Sequence, residues 1–215
     1  MALTKISINN FRCFKNVDLQ LSPGINFFFG KNGSGKTSIL ESVFIFSSGK
    51  SFKSSNLASL VNYENDKFTL KAFDNVKGYI VEIEKNKNKP ISVLLNNKKI
   101  TTSKLIKEFP CTPIHNNTFS FADASPDFRR KLLDRSIFIS EKSFSECWFS
   151  YYRSLKQRNS ILKNNRISDI YIWNTKLSDE GIKLNNMRKN FFTKTKNEFY
   201  HLIDLIQPSL SLIHI

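Results

Sequence analysis

The sequence predicts an α/β fold in which a mixed sheet surrounds a glycine-rich loop and its helix, followed by a helical region. Three observations support this prediction. Up to about residue 100, apolar residues form short runs separated by Gly, Asn and Pro, as in strands joined by turns. A glycine-rich loop at residues 30–37 lies between an apolar run and an amphipathic segment. From residue 125 onward, the apolar spacing is helical.

Six strands are predicted in the first half of the chain, each bounded by turn-forming residues. They cover residues 3–8, 17–21, 24–29, 68–73, 79–83 and 91–95. The polar runs at residues 85–89 and 96–99 are predicted to be turns between strands.

Two helices are predicted within this first half. One covers residues 36–46, where Ile39, Val43 and Phe46 recur at helical spacing and form an apolar stripe. A shorter helix is predicted at residues 103–109, with Ser103 as its N-cap.

The second half begins with a strong helix-start signal, Ser125-Pro126-Asp127, which predicts a helix reaching residue 138. Longer helices are predicted at residues 144–162 and 171–206, the last ended by Pro208. The second of these carries apolar residues along one face: Leu177, Leu184, Met187, Phe191, Leu202 and Leu205. The polar turn at 163–168 indicates an antiparallel helical arm, and two helices of an ordinary bundle fit the spacing equally well.

The loop satisfies the phosphate-binding pattern G-x-x-x-x-G-K-[ST]. Its residues are Gly30, Lys31, Asn32, Gly33, Ser34, Gly35, Lys36 and Thr37. Glycines let backbone N–H groups converge on phosphate oxygens, and the helix that follows adds the positive end of its dipole. Lys36 is predicted to contact the β- and γ-phosphates, and Thr37 to bind Mg²⁺. The sequence therefore predicts a nucleoside triphosphate site, with ATP and Mg²⁺ as cofactors.

The composition limits the kinds of partner and cellular location that the protein can have. The formal charge of +15 and the pI near 9.8 favour a polyanionic partner such as nucleic acid, although a Lys-, Asn-, Ile- and Phe-rich chain also fits an AT-rich genome. Three scattered cysteines favour reduced thiols. We find neither a signal peptide nor a long apolar run, so we expect a cytoplasmic protein without membrane contact.

Several motifs resemble the RecF family of SMC-like ABC ATPases. The first strand ends in Asn10-Phe11-Arg12, residues 125–134 read SPDFRRKLLD, and residues 155–159 read LKQRN. The resemblance implies the N-terminal lobe of a P-loop ABC-type ATPase over residues 1–124 and a helical arm over 125–207. Residues 208–215 would begin a further lobe. In such proteins the first arginine lies near the nucleotide phosphates, which implies a ligand role for Arg12.

The resemblance also implies ATP and DNA binding in recombinational repair, replication fork maintenance and SOS induction. The implied partners are single-stranded or gapped DNA, a second subunit in an ATP-dependent homodimer, and recombination mediator proteins. The chain departs from the family at Asn116-Asn117 and at Ala124. It also lacks the Leu-Ser-x-Gly-Gln signature and a Walker B pair of acids. We therefore expect an incomplete version that binds ATP and does not hydrolyse it alone.

The sequence alone leaves alternative interpretations of the loop, the arginines and the aromatic residues. The loop is also compatible with a small P-loop phosphotransferase or a non-catalytic remnant. Arg129 and Arg130 fit a DNA or phosphate contact, and fit better a solvated basic face. The aromatic residues Phe144, Trp148 and Tyr151 fit helix packing better than base stacking, because their spacing already explains them.

Overall fold

The computed structural model describes residues 3–114, 125–164 and 170–206. Contacts divide the chain into two compact units, Met1–Asn116 and Asn117–Ile215, each with its own hydrophobic core. In the described ranges no helix combines the length and apolarity needed to cross a membrane.

The first unit contains a six-stranded sheet in the order β2-β1-β3-β4-β5-β6. Its strands are β1 Lys5–Phe11, β2 Phe14–Gln20, β3 Lys67–Asp74, β4 Tyr79–Asn86, β5 Ser92–Leu95 and β6 Lys98–Lys99. All neighbours among these strands pair antiparallel, and the register aligns Ile8 with Leu70 and Leu70 with Ile83. The apolar residues of adjacent strands therefore stack on one face of the sheet.

Two helices and a 3₁₀ turn complete this unit: α1 Lys36–Ser48, the turn Leu57–Leu60 and α2 Thr102–Glu108. Ile45 and Phe46 of α1 are almost fully buried and belong to the same apolar cluster as Phe11 and Phe68. The rings of Phe11 and Phe68 meet edge to face at 5.1 Å. The core thus fixes α1, and with it the glycine-rich loop at its N-terminus.

The predicted strand at residues 24–29 is not formed, which corrects the sequence prediction. Ile25, Phe27 and Phe29 are 79%, 83% and 93% exposed. Asn26 instead closes a local turn, since its side chain accepts from the Ser22 N–H and donates to the Ser22 carbonyl. A strand needs a neighbour to satisfy its backbone groups, and within the described residues this segment has none.

Smaller corrections concern the ends of elements. The cap of α2 is Thr101 and not Ser103, because the Thr101 hydroxyl accepts from the Lys104 N–H at 3.2 Å. The predicted turn at 96–99 contains the two residues of β6, and β4 extends to Asn86 into the other predicted turn.

The second unit consists of helices α3 Pro126–Ser140, α4 Phe144–Lys163 and α5 Ile170–Ile206. As predicted, Ser125 caps α3 through its side chain. Helices α4 and α5 are antiparallel, since Arg158 donates to Asn174 at 2.7 Å and Tyr151 lies beside Gly181. The predicted turn at 163–168 lies mostly outside the described residues, as does Pro208.

The core of the second unit contains Ile137, Phe144 and Leu184, with Trp148 and Tyr151 packed against them. The helix-packing interpretation of the aromatic residues is therefore confirmed. Met187 and Phe191 also join this core. In contrast, Leu202 and Leu205 are 54% and 67% exposed, so the predicted apolar face of α5 is covered only in part.

Candidate functional site

Gly35 is the last glycine of the loop; it is the N-cap of α1 and has φ 92°. A Cβ at this position would lie 2.3 Å from Cζ of Phe14 and 3.1 Å from Sγ of Cys13. Only glycine fits, because both the left-handed backbone and the close approach of the β1–β2 turn exclude a side chain. The turn between β1 and β2 thus lies directly against the start of α1.

Gly33 has a different requirement. Its φ is +84°, yet a Cβ placed there would meet no atom within 4 Å. The loop therefore needs glycine at this position for its backbone conformation and not for space.

Lys36 is the first residue of α1, and its side chain folds back across the loop. Its Nζ donates to the carbonyl oxygens of Gly30 at 2.8 Å and Lys31 at 2.9 Å. The ammonium is therefore held over the loop, at the N-terminal end of α1 where the helix dipole is positive.

A cavity of about 470 Å³ opens at this point. Its lining residues come from the loop, from α1 and from two other turns: Arg12, Cys13, Asn32, Gly33, Ser34, Gly35, Lys36, Thr37, Ser38 and Lys53. Three of these lining residues are cationic and none is acidic, which suits an anionic ligand. Six of the eight predicted loop residues line the cavity, while Gly30 and Lys31 contribute the carbonyls that hold Lys36.

Arg12 follows the end of β1 and has a left-handed backbone with φ 55°. Its N–H donates to the Leu60 carbonyl at 2.8 Å, and its carbonyl accepts from Asn62 at 3.0 Å. Its guanidinium makes a two-bond ion pair with Glu41 of α1, with both distances 2.9 Å. The structure thus brings Arg12 to the glycine-rich loop, and its role as a phosphate ligand stays a prediction.

Thr37 is exposed at the cavity, and its hydroxyl has no hydrogen-bond partner in the described ranges. Those ranges contain no group of three or more His, Cys, Asp or Glu side chains able to hold a metal ion. Mg²⁺ commonly takes few protein ligands together with phosphate oxygens. A single hydroxyl beside a phosphate loop fits that coordination.

Sequence reasoning did not assign Cys13, Ser38, Lys53 or Glu41 to the site. For Glu41 the signal was weak: it is the one charged residue between Thr37 and Ser48, but it lies away from the predicted apolar stripe of α1. The structure shows that it is only 1% exposed, and a buried carboxylate needs a cationic partner. Lys53 gave no such signal, because only the tertiary fold brings its turn to the loop.

In the helical unit, Ser125 and Asp134 of the motif at 125–134 have structural roles, the first as the cap of α3. Asp134 is buried and accepts from Arg188 through two bonds of 2.7 Å and from the Trp148 ring at 3.2 Å. Its hydrogen bonds raise the pKa of Arg188 above its ordinary value. Asp127 lies 2.6 Å from Lys131 and 3.8 Å from Arg130, which favours the solvated-face interpretation of Arg130.

Comparison with known proteins defines the class. The model of the AAA ATPase domain family matches residues 1–210, so the chain belongs to that family. Its curated relatives include RecF proteins, which confirms the resemblance seen in the motifs. The "DNA replication and repair protein RecF" of Actinobacillus pleuropneumoniae serotype 5b is 33% identical over 99% of this chain and 60% of its own length. The protein of the same name from Glaesserella parasuis is 37% identical over 83% of this chain and 50% of its own length.

Solved structures agree on the fold. A structure described as "the recombination mediator protein RecF-ATPrS in RecFOR pathway" superposes with a TM-score of 0.83 at 25% identity, covering 96% of this chain and 58% of that chain. An SMC ATPase structure has a TM-score of 0.51 at 20% identity, covering 63% of this chain and 99% of that chain. The predicted fold class, a P-loop ABC-type lobe followed by a helical segment, is confirmed. The chain spans about 60% of the length of the first curated relatives.

Proposed function

We propose that this chain binds ATP at residues 30–37 and acts as a RecF-like ATP- and DNA-binding protein in recombinational repair. The cationic cavity formed by the loop, the N-terminus of α1 and the side chains of Arg12 and Lys53 is the observation that carries the proposal.

Each part of the loop has a role in this proposal. Lys36 exchanges its two carbonyl acceptors for β- and γ-phosphate oxygens, which are stronger acceptors because they are charged. The first N–H groups of α1 have no acceptor within the helix and donate to the same phosphates. Thr37 supplies its hydroxyl to Mg²⁺, and Arg12 provides a further cation.

The DNA-binding part of the proposal is supported by charge and by the relatives. The sequence carries a net charge of +15, and its relatives are named as DNA replication and repair proteins. We propose single-stranded or gapped DNA as the ligand, an ATP-dependent homodimer as the binding form, and recombination mediator proteins as partners. Replication fork maintenance and SOS induction are the processes that these ligands and partners serve.

The test is the binding of a labelled single-stranded oligonucleotide, measured by fluorescence anisotropy with and without Mg²⁺ and ATP. We expect ATP to strengthen binding, and we expect log K to fall linearly with log salt concentration, because phosphate contacts release counterions. DNA binding that is insensitive to both ATP and salt would contradict the DNA-binding proposal. Phosphoryl transfer to a small molecule would instead favour the phosphotransferase alternative, which no structural observation supports.

A further inference from the structure

One charged group near the cavity is not used by the proposed binding mode. The carboxylate of Glu41, one helical turn after Thr37 on α1, is only 1% exposed. It accepts from Nε and Nη2 of Arg12, each at 2.9 Å, and from the hydroxyl of Ser51 by a short hydrogen bond. Burying a carboxylate costs several kcal/mol unless it is paired in this way.

The bond to Ser51 extends the network to a second side of the cavity. The Ser51 hydroxyl oxygen also accepts from the backbone N–H groups of Lys53 and Ser54, both at 2.9 Å. These bonds define the turn that carries Lys53, a residue that lines the cavity. Glu41 therefore holds Arg12 directly and the turn of Lys53 through one hydroxyl.

We propose that Glu41 is a positioning residue that fixes the Arg12 guanidinium and the Lys53 turn at the mouth of the phosphate cavity. The inference rests on the proposed ATP binding. The pair with Glu41 uses Nε and Nη2 of Arg12 and leaves Nη1, which has no acceptor within the described residues. With two bonds fixing the plane of the guanidinium, Nη1 keeps its two donors for a phosphate oxygen.

An alternative is that the pair only stabilises the fold. Replacing a buried ion pair by apolar residues of similar volume is often neutral or stabilising, so fold stability alone gives little reason for a carboxylate here. The location of Glu41 supports a positioning role. The two groups that it holds, the Arg12 guanidinium and the Lys53 turn, both lie at the cavity and belong to separate turns.

The test is a double-mutant cycle on nucleotide affinity in the full chain. The dissociation constant of a fluorescent ATP analogue with Mg²⁺ is measured for the unmodified chain, Arg12→Ala, Glu41→Gln and the double variant. We expect roughly tenfold weaker binding for each single variant, the size of one charge-assisted hydrogen bond. In the Arg12→Ala background, Glu41→Gln should have little further effect, because the amide oxygen of Gln still accepts from the Ser51 hydroxyl and so keeps the Lys53 turn in place. The matched control is Glu84→Gln, which removes a surface carboxylate paired with Lys67 and should bind normally.

Three outcomes would overturn the inference: no loss with Arg12→Ala, no loss with Glu41→Gln, or an equal loss from Glu41→Gln in both backgrounds. None of these outcomes would contradict the proposed ATP binding, because Lys36→Ala tests that binding independently. Should Glu41→Gln not fold, Ser51→Ala decides. Its loss of affinity should disappear in a Lys53→Ala background, and a loss that persists there, or no loss at all, would contradict the inference.

Discussion

At the scale of single residues, two glycines of the loop are needed for different reasons, which are backbone conformation and space for a side chain. Gly35 combines a left-handed φ of 92° with the contact to Phe14, whereas Gly33 has only the left-handed φ of 84°. The motif requires glycine at position 35 and leaves position 33 open, and the sequence analysis assigned the loop glycines one shared role without separating the two reasons. The separation needs the β1–β2 turn, which approaches the loop only in the folded chain.

These two glycines give a matched pair of variants. We expect Gly35→Ala to destabilise the first unit by about 3 kcal/mol, because backbone strain and the clash with Phe14 add together. Gly33→Ala should cost about 1 kcal/mol, from strain alone. Hydrogen exchange of α1 peptides at increasing urea concentration would measure both values. Equal effects would show that the Phe14 contact does not constrain the loop.

At the scale of elements, helix α3 is tied to α4 and α5 by the buried Asp134, with Arg188 and the Trp148 ring as its donors. The sequence predicted all three helices because their apolar spacing and the cap at Ser125 are local signals. It did not predict the role of Asp134, because the partner Arg188 is 54 residues away and no local pattern relates them.

Arg188→Ala should destabilise the helical unit by about 3 kcal/mol, since it leaves the Asp134 carboxylate buried without its cation. The control is Arg158→Ala, whose exposed bond to Asn174 should contribute less than about 1 kcal/mol. Tryptophan fluorescence during urea unfolding is suited to this comparison, because both tryptophans, Trp148 and Trp173, belong to this unit. A normal urea midpoint for Arg188→Ala would refute the role of the pair.

At the scale of the whole molecule, the segment at residues 24–29 shows that local sequence alone does not decide whether a strand forms. Its short apolar run predicted a strand, and three of its large side chains are instead exposed. A strand forms only when a neighbouring strand satisfies its backbone hydrogen bonds. The apolar run therefore indicates β-propensity, but it does not determine whether a strand forms. The chain spans about 60% of the length of its first curated relatives, and the described residues provide no partner for this segment.

An exposed apolar segment of this kind promotes association between copies. We expect the unmodified chain to aggregate with increasing concentration, and Phe27→Lys to reduce that aggregation, because a charge opposes the association of exposed apolar segments. Val76→Lys is the control, since Val76 is equally exposed, at 81%, on a turn between β3 and β4. Light scattering over a concentration series measures the difference, and equal scattering by the two variants would contradict this assignment.

The most direct measurement is the affinity of the chain for a fluorescent ATP analogue, compared between Lys36→Ala and Lys98→Ala. Both variants remove one lysine charge, but Lys98 lies on β6, at the edge of the sheet opposite β2. We expect Lys36→Ala to weaken binding at least tenfold and Lys98→Ala to leave it unchanged, because in the proposed binding mode Lys36, unlike Lys98, contacts the phosphates. Equal affinity of the two variants would contradict nucleotide binding at this loop.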